Sequence, residues 1–169
     1  RDGRAGEDRR GPHHAGRRDT TRDAHTVNTV FEFGAATVLM LLSAAVFAVL
    51  GSLHLLYTFR GPKLTPRDPE LRASMETISP VITRQTTMWR CWIGFNATHS
   101  MALLLYGLVY GYLAVAHPGL LFGSPYLLTV GLLVVGGCFA LARAYFFSIP
   151  QLGTGVALSC YVASVIVSR

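Results

Sequence analysis

Four stretches, residues 35–57, 91–114, 120–142 and 144–168, contain no Asp, Glu, Lys or Arg. Each reaches the roughly 20 residues that a helix needs to cross a hydrocarbon layer about 30 Å thick. A soluble helix keeps a polar face toward water, so four uncharged runs in 169 residues exclude a compact soluble domain. The expected fold class is all-α, an antiparallel four-helix transmembrane bundle with a short cytoplasmic loop helix.

Residues 1–26 have a different composition. They hold seven Arg, four Asp, one Glu and three His, and no large aliphatic or aromatic residue. Such a segment buries too little apolar surface to offset its chain entropy and is expected to be disordered. Its Arg/Gly/Ala/Asp/His vocabulary resembles translation of GC-rich DNA upstream of a later start, so a spurious leader is the first expectation. A basic arm for anionic lipid or nucleic acid is the alternative. The remaining residues, 27–169, form one membrane domain with spans at about 35–57, 91–114, 120–142 and 150–168, and no nucleic-acid partner is expected of it. Cys91, Cys138 and Cys160 are an odd number within or beside apolar runs, so they are expected to be small core residues rather than a disulfide framework.

The connection after the first run carries Arg60, Lys63, Arg67, Arg72, Arg84 and Arg90 against Asp68, Glu70 and Glu76, whereas residues 115–119 have no Lys or Arg. The positive-inside bias therefore places the long loop in the cytoplasm and both ends of the bundle outside; Arg17, Arg18 and Arg22 of the leader oppose this. Within the loop, Asp68 followed by Pro69 reads as a helix start. The helix runs to about Ile78, with Leu71, Met75 and Ile78 on one face, lying on the membrane or against the bundle base. Trp89, Trp92, Tyr145 and Phe147 fit an interfacial belt.

Small residues mark expected contacts between spans: Ala44, Ala48 and Ser52 on the first, Gly107 and Gly111 on the second, Gly136, Ala140 and Ala144 on the third. At 100° per residue, Ser43, Phe47, Gly51, His54 and Thr58 share a face of the first span. Trp89, Trp92, Asn96, His99, Ser100, Leu103, Gly107 and Tyr110 share a face of the second, opposite Thr98, Met101, Ala102, Leu105 and Val109.

Polar groups on the inner faces are the candidate site. Counting from Arg60 and Arg90, His54 and Asn96 lie roughly 9 Å into the membrane and His99 roughly 14 Å, and Arg143 lies roughly 10 Å in from the same side. His54 is therefore expected to meet Asn96. Buried polar groups in hydrocarbon need partners, so His54, Asn96 and His99 form either a ligand site or a satisfied interhelical network. Arg143 has no intramembrane carboxylate to pair with and is expected to snorkel toward the surface. The Asn96-Ala97-Thr98 sequon lies inside a span, where it carries no glycan.

The segments Gly51-Ser-Leu-His54-Leu-Leu-Tyr-Thr58-Phe and Thr87-Met-Trp-Arg90-Cys-Trp-Ile-Gly94-Phe-Asn96-Ala-Thr-His99-Ser100 resemble signatures of a family of uncharacterised bacterial four-span integral membrane proteins. That resemblance implies the bundle architecture and a bacterial inner membrane, and implies no activity.

The leading functional expectation is a non-enzymatic membrane protein holding a lipid or small apolar molecule, without a cofactor, in an inter-helix pocket near His54, Trp92, Asn96, His99 and Arg143. Two alternatives remain: a redox protein with His54 and His99 ligating haem b, and a membrane isomerase or oxidoreductase with a histidine acid/base.

Overall fold

The computed structural model describes residues 34–169, so the 1–26 leader lies outside the described residues. The chain forms α1 (Ala35–Phe59), α2 (Pro69–Thr77), α3 (Met88–Ala116), α4 (Pro118–Gly123), α5 (Pro125–Tyr145) and α6 (Ser148–Val167), with no strand among the described residues. α1, α3, α5 and α6 are each long and apolar enough to cross a membrane. Together they make an all-α, antiparallel, multi-pass bundle.

Local chemistry sets the helix ends. Asp68 accepts a hydrogen bond from the Glu70 amide at 2.9 Å and Pro69 opens α2, as the sequence predicts. Thr87 caps α3 through the Arg90 amide, which lengthens the second span at its start beyond position 91. After α1 the chain turns through Gly61 at φ +85°, a left-handed conformation that costs a glycine little.

The third apolar run is not one helix. Residues 118–123 form the separate turn α4, and the span begins at Pro125 rather than at Leu120. The cause is Pro125: it disfavours helical backbone at Ser124 and supplies no N–H, while the Ser124 hydroxyl caps the new helix at the Leu127 amide. Leu121 of α4 is fully buried, so the short helix plugs one end of the core. α6 begins at Ser148, two residues before Pro150, which is tolerated because first-turn amides lack intrahelical partners.

α1 is the central element. It packs along α3 on one side and α6 on the other; α5 packs on α6 and touches α3 only sparsely. The α1–α3 seam is close because Gly107 has no side chain: a Cβ there would lie 2.7 Å from the Ala44 carbonyl oxygen and 2.9 Å from the Ala48 Cβ. Ala44, Ala48 and Gly107 thus meet as expected, and Gly111 follows at 3.7 Å from the Ala44 Cβ. Ser52 is exposed.

The stripe Gly136, Ala140 and Ala144 does not serve the same purpose on α5. Nothing lies within 4 Å of a Cβ at Gly136, and Ala140 and Ala144 are exposed. α5 instead turns Leu128, Gly131, Val135 and Ala142 inward. Gly131 accommodates two tyrosines, since a Cβ would fall 2.5 Å from the Tyr161 hydroxyl and 2.7 Å from Tyr110 Cε1.

Tyrosines fill the space between α3 and the α5–α6 pair. Phe47 and Tyr106 have ring centroids 4.7 Å apart, Tyr106 stacks on Tyr110 at 4.6 Å, and Tyr110 meets Tyr161 edge-on at 6.4 Å. Each hydroxyl is paired: Tyr106 with Ser43 Oγ at 3.3 Å, Tyr110 donating to the Leu127 carbonyl at 2.7 Å, Tyr161 donating to the Leu128 carbonyl at 2.6 Å. Tyr161→Phe should therefore lower bundle stability by about 1 kcal/mol, read as reversible unfolding in mixed micelles. Of the cysteines, Cys138 packs on this core, while Cys91 is exposed rather than a core residue.

Candidate functional site

α1 and α3 run antiparallel, so the end of α1 faces the start of α3. Their small-residue seam brings the backbones close enough for His54, five residues before the end of α1, to meet Asn96, eight residues after the start of α3. His54 Nε2 donates to Asn96 Oδ1 at 2.9 Å. The acceptor role of Oδ1 follows from the other half of the amide, because Asn96 Nδ2 donates to the Trp92 carbonyl at 2.8 Å. Asn96 is buried, and its amide oxygen and nitrogen are each hydrogen-bonded.

The surroundings hold this pair in place. Thr58 Oγ1 donates to the His54 carbonyl at 2.8 Å and Ser100 Oγ donates to the Asn96 carbonyl at 2.8 Å. Trp92 contributes its backbone carbonyl to Asn96, while its indole Nε1 donates to the Leu64 carbonyl at 2.9 Å and ties the loop to α3. Beside it, the Arg72 guanidinium lies 3.2 Å from the Trp89 ring centre and is bonded to Glu76. α2 therefore packs on the base of α3, leaving Leu71 and Ile78 exposed. Arg72→Ala is expected to loosen the loop at a cost of about 0.5–1 kcal/mol, visible as faster amide exchange in α2.

His99 is the third member. Its ring stands edge-on to His54 at 5.4 Å between centroids and faces Phe146 at 6.5 Å. It is half-buried, and none of the hydrogen bonds among the described residues involves its ring. No buried side-chain polar atom among the described residues lacks a partner, so the His99 nitrogens keep accessible surface. The cluster thus divides into a fixed pair, His54 with Asn96, and one imidazole that is positioned but unengaged.

Arg143 stands apart, exposed on the last turn of α5. Trp92, also exposed, borders an open cavity of about 370 Å³ with Lys63, Leu64, Thr65, Pro66 and Met75, on the loop side of the cluster. A larger open groove of about 830 Å³ lies elsewhere, along α6 and Phe139 of α5.

For both histidines to hold a haem, His54 would have to leave Asn96. The two rings stand edge-on at 5.4 Å between centroids, and His54 Nε2 is occupied by Asn96.

Two sets of inner residues escaped the face analysis. Tyr106 lies one step off the polar stripe of α3, and Tyr161 sits on a helix with no charged residue to mark its inner side. Their aromatic size in a run of small residues was the available signal.

The His54–Asn96 bond has a direct test. His54→Leu and Asn96→Leu should each destabilise the bundle and should couple by about 1 kcal/mol in a double-mutant cycle. Strict additivity would place the two side chains apart.

No protein-family model, curated protein or solved structure matches this chain.

Proposed function

We propose that the protein is a multi-pass membrane protein that holds one lipid or small apolar molecule, with His99 recognising its polar end. The observation that carries this reading is the unengaged His99 imidazole, half-buried beside Phe146 while its neighbour His54 is held by Asn96. A polar side chain within a membrane span is costly without a partner, and an apolar surround with a few convergent polar groups is the general form of a small-ligand site. The sparse contact between α3 and α5 favours entry from the side, past His99 and Phe146. Arg143, exposed near the same end, has a side chain long enough to extend toward a headgroup layer.

The host membrane in this reading is a bacterial inner membrane, supported by the Gly94–Ser100 motif. The loop from Arg60 to Arg90 is cytoplasmic and both bundle ends are external, supported by six basic residues in that loop and none in residues 115–119. Cysteines placed at Thr65 and Gly119 test the orientation: in intact cells an impermeant maleimide should label Gly119→Cys and spare Thr65→Cys. Preferential labelling of Thr65→Cys reverses the assignment.

Ligand retention tests the function. Protein extracted in mild detergent should carry one enriched small molecule by mass spectrometry, and His99→Leu should lose most of it while remaining folded. Equal retention by both forms would remove His99 from recognition.

A further inference from the structure

The loop between α2 and α3 presents its largest apolar side chains outward. Pro80–Thr83 is a turn closed by the Thr83 amide on the Pro80 carbonyl at 3.2 Å, and the two residues at its tip are Val81, fully exposed, and Ile82, 92% exposed. Two branched apolar side chains exposed to water at a turn tip are unfavourable, and both gain when an apolar phase takes them up.

The turn has a fixed base. The Met88 amide donates to the Ile78 carbonyl at 2.9 Å, so residues 79–87 leave and return at the first residue of α3. The Gln85 amide on Thr83 Oγ1 at 3.1 Å stiffens the returning arm. A tip four residues from that base reaches at most roughly 14 Å. The base itself lies beside Trp89 and Trp92, residues of the type that settle at a membrane–water interface. Arg84 follows the tip and is exposed, as is Arg90, and Leu71 and Ile78 add exposed apolar surface on the same loop.

We infer that the Val81–Ile82 turn is an interfacial anchor that dips into the leaflet on the loop side and prefers anionic lipid. The apolar tip enters the boundary between headgroups and acyl chains, and Arg84 meets headgroup phosphates at the rim. Lipid is the occupant because the turn is tethered within reach of the surface that its own spans define, and because the loop's six basic residues outnumber its three acidic ones. The anchor would hold the loop, and with it the Trp92–Leu64 bond, flat against the membrane at the mouth of the histidine cluster.

The test uses the full chain in nanodiscs, with Cys91, Cys138 and Cys160 replaced by alanine and a single environment-sensitive fluorophore on Val81→Cys. The reference position is Glu70→Cys, exposed on α2. In discs containing phosphatidylglycerol, the Val81 label should be quenched by shallow spin-labelled lipid, and aqueous iodide should quench it about threefold less than the Glu70 label. Arg84→Gln should reduce the ratio of embedded to water-exposed label about fivefold in anionic discs, the effect of one basic residue at such a surface, and leave it unchanged in phosphatidylcholine discs. Equal iodide quenching at both positions overturns the anchor. Protection from iodide without lipid quenching also overturns it, by showing that protein covers the turn.

Discussion

Gly131→Leu should cost about 3 kcal/mol or more, the largest effect of any single substitution considered, because two aromatic rings occupy the space of the missing side chain. A Cβ alone would stand 2.5 Å from the Tyr161 hydroxyl and 2.7 Å from Tyr110 Cε1. Relief requires both rings to move, which draws their hydroxyls away from the Leu128 and Leu127 carbonyls. Gly131→Ala should cost about 1–3 kcal/mol by the same route. Tyr161→Phe removes the nearest of the atoms that crowd the new methyl, so in the Gly131→Ala background it should cost less than in the native background; close neighbours do not add. Equal costs in both backgrounds would put Tyr161 elsewhere.

Gly107→Leu is the second large effect, and its cause is backbone rather than side chain. The Ala44 carbonyl oxygen would be 2.7 Å from the new Cβ and the Ala48 amide nitrogen 3.0 Å away, so no rotamer change relieves the clash. α1 and α3 must separate, at a cost of about 3 kcal/mol, and the separation reaches down the same seam to His54 and Asn96. The expected readout is a loss of folded protein in detergent together with loss of the His54–Asn96 coupling. Gly111→Ala is the matched control: its Cβ would lie 3.7 Å from the Ala44 Cβ, an ordinary contact, and should change stability little.

The inner faces of α1 and α3 were readable because polar residues mark them. Ser43, His54, Thr58, Asn96 and Ser100 repeat at helical spacing in otherwise apolar runs, and hydrocarbon gives each a strong reason to face protein. The structure buries or half-buries all five, and it exposes Thr98, Met101, Ala102, Leu105 and Val109 as the opposite face. The His54–Asn96 contact followed from face and depth together.

α5 offered no such marks. Its sides are almost equally apolar, and packing in lipid rewards shape fit rather than burial, so a row of small residues is an ambiguous signal. Gly136, Ala140 and Ala144 formed the more regular row, yet Gly131 holds the contact because tyrosines from two other helices converge on it. That convergence depends on the helix order, with α1 between α3 and α6, which no local pattern encodes. The split of the third run at Ser124–Pro125 was legible in principle from the proline and was hidden by the unbroken hydrophobicity around it.

The division of the histidine cluster was likewise outside the reach of spacing. Helical periodicity put His54, Asn96 and His99 on facing surfaces, but which ring Asn96 would take depends on a hydrogen-bond direction set by the Trp92 carbonyl. The Asn96 oxygen is bonded to His54, while His99 stands edge-on to the His54 ring.

The recognition role proposed for His99 is tested most directly by crosslinking in living cells. A photoreactive benzoylphenylalanine in place of Phe146, whose ring faces His99 at 6.5 Å, samples whatever occupies that side of the cluster. The same residue in place of Val109, exposed on the outer face of α3, samples bulk lipid. Expected is one dominant adduct mass at Phe146 that is absent at Val109 and is lost when His99→Leu is combined with the probe. The bulk phospholipid distribution at both positions, unaltered by His99→Leu, would contradict a ligand site at the histidine cluster.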